Sequence, residues 1–381
     1  MIYLDNGATT FPKPAIMVKE MCRCMSEYCG NPGRAGHKMA MKTGEEIYKT
    51  RRAIGELFQI PDAGRIVFTL NTTEAINLGL KGFLKWGDHV ITTSMEHNSV
   101  LRPLVALKQR GVQYTIIRCC KDGSLPLETL RKSIRPNTKL IVCTHASNVT
   151  GTIMPIYEVG KIAKCCNIPF FVDCAQSAGT LHINVEKMNI SMLAFPGHKG
   201  LLGPLGTGGL YVKEGIALVP LKEGGTGTAS RELEQPYDFP EGYESGTVNA
   251  PGIIGLGYSL QYLRSLGIEN IRKFEEGLTE KLTESLRNMR RISLYGPLDS
   301  RKKTGVVLFN VGNRNCEEVA SILSETYDIA SRAGFHCAGL AHKTIGTGEV
   351  GGVRLSVGPF NTKKEIEKTI DSIYKITKMP T

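Results

Sequence analysis

The sequence predicts an α/β fold: a large domain on a mostly parallel seven-stranded sheet, followed by a small α+β domain. Three observations lead there. Short β-branched runs recur from residue 64 onward, and helix-patterned stretches separate most of them. The runs are almost continuously apolar, as in strands covered on both faces. After about residue 250 long helical patterns take over.

In chain order the seven runs are RIVFTL (65–70), DHVITTSM (88–95), VQYTIIRC (112–119), KLIVCTHA (139–146), IPFFVDCA (168–175), ISMLAFPG (190–197) and GGLYVK (208–213). NSVLRPLVALKQRG and YEVGKIAKCCN are crossover helices between them. The segment 223–249 is rich in turn formers and is a candidate functional loop. Beyond it come the helical IIGLGYSLQYLRSLG and ENIRKFEEGLTEKLTESLRNM, the strands TGVVLFNVG and GGVRLSVG, and a last helix TKKEIEKTIDSIYKIT. The expected domains are residues 1–15 as a segment packing with the small domain, 16–250 as the large domain and 251–381 as the small one.

The 381 residues leave ample room to bury a site. No apolar run reaches the roughly 18 residues of a membrane span, and the start MIYLDNGATTFPKP lacks an export pattern. A cytoplasmic protein is expected. The 11 cysteines form no CxxC pair, which argues against a zinc cage or disulfide framework; no metal site is expected, and the thiols should be reduced and mostly buried. A net charge of +11 is spread along the chain, and nucleic-acid motifs are absent.

In open parallel sheets ligands bind beyond the carboxyl ends of the strands, so the residues there carry the functional reading. NTTEAINLG places Thr72 and Thr73 at a helix start, where hydroxyls and free N–H groups suit a phosphate and where threonine is equally an ordinary cap. MEHNSV supplies His97 and HASNVTG supplies Asn148. Asp173 ends an apolar run, and a charge buried there needs a cationic partner. FPGHKGLLGP sets Lys199 after His198 and before glycines, at a strand end where a lysine must be paired or lose its proton. Each residue alone is compatible with a structural duty. Together, a phosphate cradle, a ring to stack on a flat ligand, a buried carboxylate and a lysine able to form an imine describe a pyridoxal phosphate site.

The ordered motifs IYLDNGATTFPKP, NPGRAGH (31–37), TTEAINL, EHNS, SNVTG, VDCAQSAG, GHKGLLGP, YESGTVN (243–249), SRAGFHCA (331–338) and VRLSVGPFNT (353–362) span nearly the whole chain. In them the sequence resembles the class V aminotransferases, and within these the cysteine desulfurases of SUF type. The resemblance implies the aspartate aminotransferase-like fold of pyridoxal-phosphate-dependent transferases. It implies that Thr72, Thr73 and His198 bind the phosphate, His97 stacks on the ring, Asp173 pairs with the pyridinium, Gln176 reaches the phenolic oxygen and Lys199 carries the cofactor. Asn148, Arg354 and Arg332 would serve the substrate, arginine being suited to a carboxylate by its planar fork. Thr247 would reach the phosphate of the neighbouring subunit in a homodimer.

Cys337, beside His336 and five residues after Arg332, aligns with the sulfur-accepting cysteine. L-cysteine would then become L-alanine, leaving a persulfide on Cys337 for a sulfur-acceptor protein. A selenocysteine lyase acting on L-selenocysteine is the main rival reading, and a non-catalytic sulfur-relay protein or a transaminase are others. Two departures from the family pattern, Pro196 where serine is common and Phe335 where a histidine is common, bear on substrate preference and on the persulfide's surroundings, not on the fold.

Overall fold

Every one of the seven apolar runs becomes a strand of a single sheet in the computed structural model, which describes residues 1–33 and 36–380. After a two-residue strand β1 (Ile2–Tyr3), the sheet contains β2 (Ile66–Thr69), β3 (His89–Thr93), β4 (Gln113–Ile117), β5 (Thr138–Thr144), β6 (Phe170–Asp173), β7 (Met192–Pro196) and β8 (Gly208–Val212). Their order is β2-β8-β7-β6-β5-β3-β4. Pairings from β7 through β4 are parallel, while β8 runs antiparallel to both β2 and β7.

Six helices belong to this half: α1 (Ala15–Glu27), α2 (Lys38–Phe58), α3 (Thr72–Phe83), α4 (Asn98–Lys108), α5 (Leu127–Lys132) and α6 (Ile156–Cys165). The pleat of β6 shows why its sequence is unbroken apolar. Phe170 and Val172 enter the core shared with α2 and α6, whereas Phe171 faces the opposite core under α3 and α4. The helices α1 and α2 form where the sequence reading had assigned no element. Part of the motif at 31–37, Arg34 and Ala35, lies outside the described residues.

The second half begins with α7 (Ala250–Leu266) and α8 (Ile268–Arg287). It continues with β9 (Ile292–Tyr295), β10 (Val306–Val311), α9 (Cys316–Tyr327), β11 (Ile329–Ala330), β12 (Arg332–Gly334), α10 (Gly339–Ile345), β13 (Gly352–Ser356) and α11 (Lys363–Lys378). An antiparallel sheet of order β12-β13-β10-β9 is covered by α8, α9 and α11, and β1 pairs in parallel with β11. A capping box between Thr362 and Glu365 starts α11.

The expectation of mostly buried cysteines needs correction. All eleven are free, but Cys22, Cys29, Cys120, Cys165 and Cys166 are exposed along with Cys337. The reason is geometric: neighbouring residues of an extended segment point to opposite sides, so Cys119 faces the core and Cys120 the solvent. Cys165 and Cys166 fall at the solvent-facing end of α6. Among the described residues no helix is long and apolar enough to cross a membrane, and no cluster of three or more His, Cys, Asp or Glu side chains is placed to hold a metal.

Close packing of α6 makes a stability prediction. A Cβ on Gly160 would lie 1.9 Å from the Met188 carbonyl oxygen, whereas a Cβ on the exposed Gly277 in α8 meets nothing within 4 Å. Gly160→Ala should therefore cost about 1–3 kcal/mol by overpacking. Gly277→Ala should gain up to about 1 kcal/mol of helix propensity. Urea midpoints of the two variants, moving in opposite directions at unchanged slope, check both.

Candidate functional site

The site assembles where β3, β5, β6 and β7 end. Beyond β7 the chain turns sharply through Gly197–Gly203, with Leu202 N–H donating to the Lys199 carbonyl at 2.8 Å and Gly203 N–H to that of Gly197 at 2.7 Å. Side chains are excluded at two points of this turn. A Cβ on Gly197 would fall 2.0 Å from Thr207 Oγ1, and one on Gly200 would fall 2.3 Å from the Ala178 carbonyl oxygen. The turn points Lys199 into a cleft of about 480 Å³ that it shares with Thr72, Thr73, His97, Asn148, Asp173, Gln176 and His198. Eight of the twelve residues singled out from sequence thus line one cleft.

Its electrostatics are those of charge held away from water. Burial pulls the Lys199 ammonium down to about 8, against the pull of Asp173 in the other direction. Asp173, fully buried at the end of β6, is pushed upward by desolvation; the Ala175 N–H at 2.9 Å and the charge of Lys199 oppose that push. His97 caps α4, its Nδ1 accepting from Ser99 N–H at 3.1 Å, and burial holds it at about 4, so its ring is neutral. One residue therefore both caps α4 and lines the cleft.

Thr72 and Thr73 are not caps. Asn71 performs that task, accepting from Glu74 N–H at 3.0 Å, and the threonines are the first two residues of α3. Thr72 Oγ1 is buried with no hydrogen-bond partner, and so is His198 Nδ1 in the same cleft. Buried polar atoms without a protein partner beside a helix N-terminus suit an anion. With the buried carboxylate and the lysine lining the same cleft, the donor set fits pyridoxal phosphate: a cradle for its phosphate and a counterion for its ring nitrogen. Pro196 adds no hydroxyl to this cradle; it ends β7 opposite Gly208.

Asp5, which the sequence reading did not single out, is the hub that joins Arg332 and Arg354. Its carboxylate accepts from Arg354 at 3.0 Å and from Arg332 at 2.9–3.2 Å. Arg354 is buried on β13 and also donates to the Asn148 carbonyl at 2.9 Å, leaving its Nε unpartnered. Asn148 donates in turn to the His336 carbonyl at 2.7 Å. Gln176 donates to the Gly7 carbonyl at 2.8 Å, so the N-terminal segment occupies its amide. The same segment is strapped to the lysine turn through Thr9 and Thr10, which donate to the carbonyls of His198 and Lys199 at 3.0 and 2.9 Å, and through Lys13, which donates to His198 at 2.7 Å.

Cys337 comes from the loop between β12 and α10. His336 and Cys337 both adopt left-handed backbone, with φ of 52° and 54°, and the Cys337 carbonyl accepts from Asn98 N–H at 2.8 Å. This fastens the cysteine's backbone to the residue after His97 while its side chain stays exposed. His336 is not a cation available to it: burial pushes its imidazole down to about 3, and it stacks on His342 with Nδ1 3.0 Å from Nε2. Arg332 is the charged neighbour, its own charge favoured chiefly by its hydrogen bonds to Asp5. Phe335 sets its ring edge-on to His342 at 5.5 Å. Thr247 stands apart, exposed in the 223–249 loop.

The family model described as aminotransferase class-V matches residues 2–369. The chain is similar to a probable cysteine desulfurase of Methanothermobacter thermautotrophicus, at 35 % identity over 99 % of this chain and 95 % of that protein. It is also similar to a cysteine desulfurase of Escherichia coli, at 31 % identity over 100 % of this chain and 94 % of the relative. The apo structure of cysteine desulfurase from Thermococcus onnurineus NA1 superposes with a TM-score of 0.93 at 34 % identity, covering 99 % of this chain and 94 % of that one.

The two pairs on Asp5 differ in burial, and stability should register it. Arg354 is 3 % exposed and Arg332 50 % exposed. Asp5→Ala leaves a buried guanidinium unpaired and should cost about 3–5 kcal/mol. Arg332→Ala removes only a solvent-screened contact and should cost about 1 kcal/mol or less. Chemical denaturation of both variants checks the ratio; equal losses would refute the hub assignment.

Proposed function

The chain belongs to the class-V aminotransferase family, and from that premise and the geometry of the cleft we propose that it is a pyridoxal-phosphate-dependent cysteine desulfurase. It converts L-cysteine to L-alanine and carries the released sulfur as a persulfide on Cys337. The observation that supports this reading is the hydrogen bond from Asn98 N–H to the Cys337 carbonyl at 2.8 Å, which ties the loop bearing Cys337 to the residue after His97, itself a lining residue of the cleft with Lys199 and Asp173.

Bound there, pyridoxal phosphate would supply an electron-accepting ring for the reaction. Thr72, Thr73, His198 and the start of α3 would hold its phosphate, His97 would stack on its ring, and Asp173 would favour a protonated ring nitrogen. The neutral amine of Lys199 is the base that removes the substrate Cα proton, a task for which its lowered pKa suits it. Arg354 and Asn148 orient the substrate carboxylate. The Cys337 thiolate attacks the substrate sulfur: an S–S bond forms, the Cβ–S bond breaks, and the three-carbon remainder takes up protons and leaves as L-alanine.

Because Cys337 is exposed, a sulfur-acceptor protein can reach the persulfide where it forms. The chain works as a homodimer in which exposed Thr247 of one copy meets the phosphate of the other. Eleven unpaired cysteines suit the reducing cytoplasm.

Two outcomes test the assignment. Cys337→Ala should lower L-alanine release from L-cysteine by at least about 100-fold while leaving the visible absorbance of the bound cofactor intact. An unchanged rate sinks the role of Cys337, and turnover confined to L-selenocysteine replaces the substrate. Covalent capture of added pyridoxal phosphate by the cofactor-free chain requires the neutral Lys199 amine. Its rate should climb roughly tenfold per pH unit and level off above about pH 8; a climb continuing to the ordinary lysine range contradicts the burial argument.

A further inference from the structure

Glu96 is fully buried directly before His97, and the functions assigned above leave it without a role. Its Oε1 accepts from Thr93 Oγ1 at 2.6 Å and from Thr144 N–H at 3.1 Å, while Oε2 is buried with no partner. Thr144 is the register partner of Asp173 across β5 and β6. The carboxyls of Glu96 and Asp173 therefore flank the end of the same strand, one reaching in from β3 and one from β6.

The groups facing Glu96 are the Asp173 carboxylate on β6, the thiols of Cys143 on β5 and Cys119 beyond β4, and the hydroxyl of Thr93 on β3. The charge that acts on it is thus of its own sign. Two neighbouring carboxyls in a dry site do not both ionise, and the proton goes to the one with less to stabilise its charge. Asp173 has Lys199 and the Ala175 N–H, and it faces the cleft. Glu96 has an orphaned oxygen.

Resting on the desulfurase reading, we infer that Glu96 is a positioning residue that sits as a neutral carboxylic acid behind Asp173, so that Asp173 alone stays charged to face the cationic ring nitrogen of the cofactor. A charged Glu96 would raise the proton affinity of Asp173 and weaken it as a counterion. Burial and the Asp173 charge push Glu96 up to about 8, which agrees with a proton held at neutral pH.

The sign of the linkage follows. Glu96 holds its proton in the folded chain to about pH 8 but loses it near the ordinary glutamate value when unfolded, so its contribution to stability is present below about 4.5 and lost as pH rises toward 8. The test uses the full-length chain without added cofactor and needs no turnover, so a failed desulfurase reading leaves both readouts standing. In Glu96→Gln, one carboxylic-acid C=O band present in the infrared spectrum at pH 7 should vanish, and it should survive in Asp173→Asn. The folding constant of wild type relative to Glu96→Gln should fall by up to tenfold per pH unit between about 4.5 and 8; the other buried acids cancel in that ratio. Should Glu96→Gln not fold, Asp173→Asn decides alone: removing the like charge must shift the pH at which the band disappears downward. A band lost in Asp173→Asn but kept in Glu96→Gln, parallel stability profiles, or an unshifted band in Asp173→Asn overturns the inference.

Discussion

The site depends on keeping Lys199 and Asp173 out of water while leaving each a use for its charge. An ammonium and a carboxylate buried separately would each cost several kcal/mol. Placed at the ends of adjacent strands β6 and β7, they offset part of each other's desolvation. What remains is a lysine with a pKa of about 8, close enough to neutrality to act as a base, and a carboxylate positioned for a cationic partner. The parallel sheet makes this possible, because it ends several strands on one edge and turns each of them toward the same cleft.

A second constraint is that the two halves of the chain must meet at that edge. The first residues supply the bond: β1 joins the small sheet at β11, Asp5 ties in Arg332 and Arg354, and Thr9, Thr10 and Lys13 grip the lysine turn. One short segment thus fixes how Lys199 and Arg354 stand relative to each other. The loop bearing Cys337 is pinned across the same boundary by Asn98 and Asn148.

Much of this was legible in the sequence. The seven strands were readable because strands covered on both faces are continuous apolar runs, and a charged residue closing such a run, as Asp173 and Lys199 do, stands out against its surroundings. Thr72 was ambiguous, since a cap and a phosphate ligand use the same atoms; only the position of Asn71 one residue earlier separates them. Asp5 was unreadable, because its partners lie more than three hundred residues away and no local pattern encodes a pairing at that range. His336 stands beside the thiol in sequence, yet its burial against His342 leaves it neutral, an effect of tertiary packing alone. The cysteines misled for a similar reason: adjacency turns Cys120 outward from the buried Cys119, and Cys165 and Cys166 both fall at the solvent-facing end of α6.

The central claim is that sulfur leaves L-cysteine by way of Cys337. Peptide mass spectrometry of the cofactor-loaded chain after a brief exposure to L-cysteine, with free thiols blocked during quenching, tests it most directly. A gain of one sulfur atom on the peptide that contains Cys337, and on none of the peptides with the other ten cysteines, is the result the structure calls for. L-alanine formed in stoichiometric amount while Cys337 stays unmodified, or sulfur found on one of the other exposed thiols, would contradict it.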